Sequence, residues 1–312
     1  MSALISGSMA YDVIMRFPGR FAEHILPEHI HNLSVAFMVN DLRREFGGCA
    51  GNIAYTLKML GGEGYPVGAV GHDFGPYAKW MDANGISREH LLELDDVFTA
   101  QAYINTDDED NQITAFHPGA MGRAHEQPLP RRNGAAIGII APDGREAMIQ
   151  RSKEFADAGI PFIFDPGQGL PMFDGDDLVA FLERASWLAM NDYEAGMFCD
   201  KTGLDLDRIA ERVDALIVTR GSRGSLITAA GGERHEIPVV EPAGLVDPTG
   251  CGDAYRAGLL FGLMNQFDWE TTGRIASLAG SIKVAQRGTQ NHRFTADEFA
   301  DRFKKVFGYS YA

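Results

Sequence analysis

The sequence predicts an α/β fold built on a parallel sheet, with a small β lid attached. Three observations carry this. Short apolar runs with strand character alternate with segments of helical period along most of the chain. One run, Ala135–Ile140, is continuously apolar, as in a parallel strand covered on both faces. Two stretches, 13–46 and 98–117, break the alternation: they are mixed or strand-like and lack a strong helix.

Taken in order, Ala3–Ser8 reads as a strand. After Gly47-Gly48, residues Cys49–Leu60 place apolar groups at 50, 53, 54, 57 and 60, a helical period. Tyr65–Val70 reads as a strand and Tyr77–Ala83 as a helix closed by Asn84-Gly85. Phe98–Thr106 and Asn111–His117 read as two strands joined by the polar turn Asp107-Asp108-Glu109-Asp110, a solvated hairpin tip rather than a calcium loop. Ala135–Ile140 is a strand, and Glu146–Ala158 is a helix ending at Gly159. Pro161–Phe164 is a strand, Asp177–Ala185 a helix, Trp187–Met190 a strand, Tyr193–Phe198 a helix and Ala215–Thr219 a strand. Helices fill 253–265, 270–286 and 295–306. There is no internal repeat or low-complexity linker, so lid and main sheet are interleaved along the chain.

A length of 312 residues with 45% hydrophobic content suits one large domain, or one with a smaller attachment. No apolar run approaches the ~18–20 residues of a membrane span, and no secretory leader is recognisable. Cys49, Cys199 and Cys251 cannot all pair and show no Cys-x-x-Cys spacing, so free thiols in a reducing cytoplasm are expected. The net charge of −15 argues against a nucleic-acid polymer as partner, while a small anion needs only a local positive pocket. His24, His29 and His31 cluster beside prolines, without a carboxylate pattern that would make a metal site.

The chemistry concentrates in Asp247-Pro248-Thr249-Gly250-Cys251-Gly252-Asp253, which opens an apolar helical run. A glycine-rich loop at a helix N-terminus aims amides and the positive end of the dipole at an anion. Asp253, in the first turn, has the wrong charge for plain anion binding. It makes sense if it takes a proton from a hydroxyl that attacks a phosphate. An Asp there also stabilises a helix with no ligand present. Cys251 is either a thiol activated by the helix terminus or a small residue tolerated beside the loop.

A second cluster, Gly47-Gly48-Cys49-Ala50-Gly51-Asn52, also opens a helix. Its glycines let a polar ligand approach the backbone, and Asn52 offers donor and acceptor, which suits vicinal hydroxyls; tight helix packing would look the same. Asp12 follows the first strand, where an Asp can accept two sugar hydroxyls or merely cap a turn. Asn191 and Glu194, three apart after a strand, can hold magnesium-bound waters beside phosphates or simply cap a helix. Thr219-Arg220-Gly221-Ser222-Arg223-Gly224 offers hydroxyls, open backbone and two guanidinium groups to phosphates, or is a plain turn. Asp73-Phe74-Gly75 has no His-Arg-Asp loop to accompany it. No Gly-Lys pair exists for a Walker A loop, and the serine-hydrolase and zinc-protease signatures are absent.

On these residues the chain resembles the ribokinase-like, or PfkB, family of small-molecule kinases. Gly47–Asn52 stands as the N-terminal signature and Asp247–Asp253 as the C-terminal one, supported by Gly68-Ala69-Val70-Gly71-His72-Asp73, Asn191–Glu194 and Thr219–Gly224 in family order over essentially the full length. Cys251 departs from the Ala or Gly more usual there, a change that leaves backbone donation intact. Within the family the chain looks most similar to bacterial adenosine and nucleoside kinases, through Gly7–Asp12, Met15–Phe21, Leu26-Pro27-Glu28-His29, Phe116–Met121 and Asn191–Glu194.

The resemblance implies a three-layer, doubly wound, mostly parallel sheet with a small β-sheet lid. The large domain would comprise 1–12, 47–97 and 118–312, and the lid 13–46 and 98–117. It implies ATP-dependent phosphorylation of the ribose 5′-hydroxyl of a nucleoside, with adenosine the first expectation. Asp253 would be the base, the Gly250, Cys251 and Gly252 amides would hold the transferring phosphoryl group, and Glu194 would hold Mg²⁺ through water. Ser8, Asp12, Gly48 and Asn52 would bind ribose, Phe116 would stack on the base, and Gln168 would lie near it. Asn191, Thr219, Gly221 and Gly224 would contact ATP. Asp247 and Thr249 would belong to a monovalent-cation (K⁺) loop whose second half is Arg287-Gly288-Thr289. The lid strands would cover the site or form a homodimer seam. A sugar kinase acting on ribose or a hexose phosphate would keep the phosphoryl-transfer parts without needing an aromatic base platform. A catalytically silent, ligand-sensing relative would not need Asp253.

Overall fold

The computed structural model describes residues 2–25, 34–109, 111–130 and 135–311. In chain order the elements begin with β1 (Ser2–Ser6), β2 (Ala10–Arg16), β3 (Asp41–Gly47), α1 (Cys49–Met59), β4 (Glu63–Gly71), α2 (Gly75–Ala83) and β5 (Leu91–Leu94). Next come β6 (Ala100–Thr106), β7 (Gln112–His117), β8 (Ala135–Ile140), α3 (Arg145–Asp157), β9 (Phe162–Phe164), α4 (Gly175–Leu182), β10 (Trp187–Asn191) and α5 (Asp192–Thr202). The chain ends with α6 (Leu206–Ala210), β11 (Ala215–Thr219), β12 (Ser225–Ala229), β13 (Arg234–Ile237), α7 (Cys251–Met264), α8 (Trp269–Val284) and α9 (Ala296–Phe307).

Among the described residues the large sheet runs β13-β12-β11-β10-β9-β8-β1-β4-β5, parallel from β11 to β5 with the hairpin β12–β13 added antiparallel. All five residues of β1 are buried, because the strand lies mid-sheet with parallel neighbours on both sides. Its side chains alternate between two cores, as the two-residue period of a strand requires. Ala3 and Ile5 pack in the layer that holds Ile53 of α1 and Leu259 of α7, and Leu4 packs with Phe155, Phe181 and Phe198 of α3, α4 and α5. A further layer forms where Phe299 and Phe303 of α9 lie against Ile275 and Leu278 of α8. A capping box at Thr295 and Glu298 fixes the start of α9, and left-handed Gly308 ends it.

From β1 the chain fills one side of the sheet with β4 and β5, then crosses to β8 on the other. Such a reversal leaves a crevice outside the carboxyl ends of the strands. A separate four-stranded sheet, β3-β2-β6-β7, stands over that crevice. Register puts Glu45, Asp12, Ala102 and Phe116 in one row across it. Asp12 therefore sits on a strand of the small sheet, not in the turn after β1.

The strands at 135–140 and 215–219 have the expected bounds, and the foreseen helices are present within a few residues. The sequence reading missed β5, β12, β13 and α6. β5 and β13 are four-residue strands at the two edges of the large sheet, too short for an alternation to stand out. The acidic turn also differs from expectation. Asp107 is fully buried and accepts the backbone N–H groups of Phe21, Glu109 and Asn111, each at 2.9 Å. It is the anchor of the hairpin, and only its neighbours Asp108 and Glu109 face solvent. Asp110, and the His29 and His31 members of the histidine cluster, lie outside the described residues.

The core beside the cleft is sealed by aromatic stacking. Phe164 is fully buried, its ring centroid 4.2 Å from that of Phe181 and nearly parallel to it. Phe164→Ala should lower unfolding stability by about 3–5 kcal/mol, read from the urea midpoint. A loss under ~1 kcal/mol would mean the neighbours collapse into the space.

Candidate active site

Most of the residues singled out from the sequence line one cleft of about 650 Å³. Its floor is the row of strand carboxyl ends: Ser8 after β1, Asp143 after β8, Asp165 after β9, Asn191 at the end of β10 and Thr219 at the end of β11. Its roof is one face of the small sheet, where Ala10, Asp12, Ala102, Ile104, Thr114 and Phe116 alternate inward. Gly250, Gly252 and Asp253, at the start of α7, close the middle.

The two glycine clusters are shaped for close approach. A Cβ on Gly48, at φ 85°, would come within 2.5 Å of Ala10 N and Ser8 O, and one on Gly47 within 2.6 Å of Asp12 Oδ2. These glycines let the turn after β1 lie against the N-terminus of α1, where Ser8 Oγ accepts the Cys49 N–H at 3.1 Å. At α7, Gly250 is left-handed (φ 77°) and the helix has no side-chain cap. The Cys251 amide donates to Pro248 O at 3.1 Å, and among the described residues the Gly250 and Gly252 amides have no backbone acceptor. Free N–H groups at a helix start form an anion cradle.

Asp253 stands in that first turn. Its Oδ2 accepts the Asn52 Nδ2–H at 2.8 Å, a contact between residues 201 apart in sequence. The direction of this bond is set from a distance. Trp80 Nε1, which can only donate, bonds Gln290 Oε1 at 3.0 Å. Gln290 must then turn its Nε2 toward Asn52 Oδ1, also 3.0 Å away. Asn52 is left with its N–H groups facing Asp253. Burial pushes the Asp253 carboxyl up to about 6, with Asp165 adding to the rise, while the Asn52 hydrogen bond and Arg256 oppose it. Asp12 is also raised to about 6, by burial and then by Glu45 and Asp247.

On the opposite side of the cleft, Asn191 and Glu194 form a complete capping box. Asn191 Oδ1 accepts the Glu194 N–H, and Glu194 Oε2 accepts the Asn191 N–H, both at 2.8 Å. The helix-cap reading and cleft exposure hold together, because among the described residues no hydrogen bond engages Asn191 Nδ2 or Glu194 Oε1, and both residues line the cleft. Thr219 and Gln168 line it as well. Gly221 and Gly224 lie outside the lining. A Cβ on Gly224 would sit 2.1 Å from Ile237 O, so close backbone packing against β13 demands that glycine. The two guanidinium groups of this turn are paired elsewhere, Arg220 with Glu236 and Arg223 with Asp192. Cys251 sits beside the cradle rather than in the lining, its thiol pushed up to about 11 chiefly by burial, so it is no activated nucleophile.

Asp247 and Gly288 lie beneath the cradle. The Asp247 carboxylate accepts the Thr249 and Gly288 amides, each at 2.9 Å, and its carbonyl accepts the Lys283 ammonium at 2.8 Å. Thr249 reaches the cleft.

Sequence reasoning overlooked several groups. Asp165 and Arg256 are almost wholly buried in the cleft wall and bonded at 3.0 Å, and among the described residues Arg256 Nε and Nη1 have no hydrogen-bond partner. Asp143, its carboxyl pushed up to about 7 by burial, lines the same wall. Both Asp residues follow strands, so the rule that singled out Asp12 would have found them. Nothing local marks Arg256, Gln290 or Lys283.

The chain matches the pfkB family carbohydrate kinases over residues 10–295. It is 32% identical over 274 residues to a nucleoside kinase of Methanocaldococcus jannaschii, covering 87% of this chain and 90% of that protein. Among solved structures it is similar to the nucleoside kinase of Burkholderia thailandensis in complex with inosine, with 50% identity, a TM-score of 0.90 and 99% of each chain covered. The ADP-inosine complex of the same protein gives 51% identity and a TM-score of 0.87, covering 99% of this chain and 97% of that one. The chain belongs to the PfkB family, has its ribokinase-like fold, and is a phosphotransferase with an alcohol group as acceptor.

If Asp253 must be ionised to act, kcat/KM should fall on the acid side with a midpoint near pH 6. Below it the carboxyl is protonated and cannot accept a proton. Asn52→Ala removes a donor that favours the charged form, so the acid limb should move up by about one pH unit. A pH–rate profile checks this, and an unmoved limb would mean the Asn52 contact does not govern Asp253.

Proposed function

We propose that this chain transfers the γ-phosphoryl group of ATP to the ribose 5′-hydroxyl of a nucleoside. The observation that carries the reading is the buried Asp253 carboxylate beside the Gly250 and Gly252 amides, at the centre of a cleft open to both the small sheet and the β10–β11 end. The nucleoside kinases among its relatives support it.

In this reading ribose lies between Ser8, Asp12, Gly48 and Asn52, with Asp12 and Asn52 bonding its hydroxyls. Phe116, half exposed on the roof, stacks on the base. Gln168, exposed at the rim, can turn its amide as donor or acceptor. It thus suits either a 6-amino or a 6-oxo purine, so adenosine and inosine are both substrates. ATP enters from the Asn191–Thr219 side. Asp253 accepts the 5′-hydroxyl proton as that oxygen bonds to the γ-phosphorus, the bond to the β-phosphate oxygen breaks, and ADP leaves. The cradle amides hold the charge on the transferring group. Glu194 Oε1 and the phosphates suit Mg²⁺ held through water, and that ion would neutralise phosphate charge. The small sheet acts as the lid: its closure brings Phe116 and Asp12 onto the nucleoside and excludes water as a competing acceptor.

Asp253→Asn should cut kcat by ~10²–10⁴-fold with little change in nucleoside affinity. It should also stabilise the protein at neutral pH. The folded pKa near 6 lies above the unfolded value, so ionisation disfavours the folded state, and that cost is complete above about pH 6 and fades as pH falls toward 4. Melting temperatures at pH 7.5 and 5 should show a gain that shrinks at the lower pH. An active variant would remove Asp253 from the chemistry. Phe116→Ala should raise KM for nucleosides by roughly 10-fold while leaving any ribose phosphorylation unchanged. Equal losses on both substrates, in a coupled ADP-release assay, would argue against base stacking.

A further inference from the structure

Two chain segments meet under the cradle: the loop entering α7, from Val246 to Gly250, and the turn leaving α8, from Val284 to Thr289. The Val246 and Asp247 amides both donate to Val284 O, at 3.0 and 3.1 Å. Several oxygens between the segments that could serve a monovalent cation are engaged by protein donors. Asp247 Oδ1 and Oδ2 accept the Thr249 and Gly288 amides. The Asp247 carbonyl accepts Lys283 Nζ at 2.8 Å, and the Gln286 carbonyl accepts the same ammonium at 3.4 Å. Lys283 is fully buried in the last turn of α8. Its burial disfavours the charged form, and Cys251, Asp247 and Asp253 oppose that effect. The donor set therefore does not fit an added K⁺: its carbonyls face an ammonium, and its carboxylate faces amides.

We infer that the Lys283 ammonium is a tethered monovalent cation, holding the α7 loop to the α8 turn and placing a fixed positive charge under the anion cradle, so that the enzyme works without K⁺. The inference rests on the kinase reading above. An ammonium carries the same single charge as K⁺ and, like it, is satisfied by carbonyl oxygens. Here it is delivered by the chain itself and cannot dissociate. Lys283 is a positioning residue: it touches neither the nucleoside nor ATP, and acts through the loop that carries Gly250 and Gly252.

The test is steady-state turnover of nucleoside and ATP in buffers whose only monovalent cation is K⁺, Na⁺ or tetramethylammonium, for the wild type and Lys283→Ala. Wild-type kcat should be the same in all three. Lys283→Ala should lose roughly 10–100-fold in kcat through the loosened loop, and K⁺ or ammonium ion, but not tetramethylammonium, should restore much of it with saturation. Saturable K⁺ activation of the wild type would overturn the inference, as would a folded Lys283→Ala with unchanged turnover in tetramethylammonium. If the variant does not fold, the wild-type cation series decides alone. Absence of wild-type turnover on any nucleoside would sink the functional reading instead. Melting temperatures then decide: K⁺-specific stabilisation of Lys283→Ala but not of wild type supports the tethered cation, and K⁺-specific stabilisation of wild type contradicts it.

Discussion

A carboxylate kept out of water with few donors is the constraint on which this site depends. Asp253 accepts a side-chain hydrogen bond from Asn52, and Arg256 favours its charged form, but burial and the repulsion of Asp165 oppose them. In water a carboxylate is too weak a base to matter to a hydroxyl. Here its charged form is disfavoured enough to bring its titration toward neutrality, which is where a general base works best. Everything nearby serves that balance. The Trp80–Gln290–Asn52 series fixes which end of the Asn52 amide faces Asp253. Arg256, one helical turn on, balances Asp165 so that a second buried charge does not protonate Asp253 outright.

The fold supplies the setting for this balance. Strands that end together deliver Ser8, Asp143, Asp165, Asn191 and Thr219 to one line without any of them being near another in sequence. The start of α7 points its uncommitted amides at the middle of that line. The small sheet adds a roof whose side chains are chosen by strand register: the alternate residues Ala10 and Asp12, Ala102 and Ile104, Thr114 and Phe116 face the cleft. Roof and floor are also tied by hydrogen bonds. Thr289 Oγ1 donates to Phe46 O at 2.5 Å and Asn291 Nδ2 to Glu45 Oε2 at 3.0 Å, so the strand that carries Glu45 is tied to the turn beneath the cradle.

Much of this was legible in the sequence, for identifiable reasons. Gly47-Gly48 and Gly250 stand out because backbone must approach backbone there, and only glycine permits it. Asp253 and Asn52 stand out because each follows such a cluster by a few residues. The parallel strands were visible as apolar runs because both of their faces are covered. What escaped has the opposite character. Gln290, Lys283 and Arg256 work through contacts that span 238, 36 and 91 residues, and their surroundings in sequence look ordinary. Gly224 packs its backbone against Ile237 O, and in sequence such a glycine looks the same as one that admits a phosphate. The pairing of Arg220 with Glu236 and Arg223 with Asp192 was hidden in sequence because those partners lie on other elements. In sequence Asp107 looks like a solvated tip, because its burial arises only when the segment around Phe21 folds over it.

The central claim is positional: an acceptor hydroxyl and a phosphoryl group meet at Asp253 and the α7 cradle. The most direct measurement is a crystal structure of the protein with a nucleoside and a non-hydrolysable ATP analogue bound together. The account predicts the 5′-oxygen ~2.6–3.2 Å from the Asp253 carboxylate and the terminal phosphate on the Gly250 and Gly252 amides. A complex with the 5′-hydroxyl turned away from Asp253, or with the terminal phosphate distant from those amides, would contradict it.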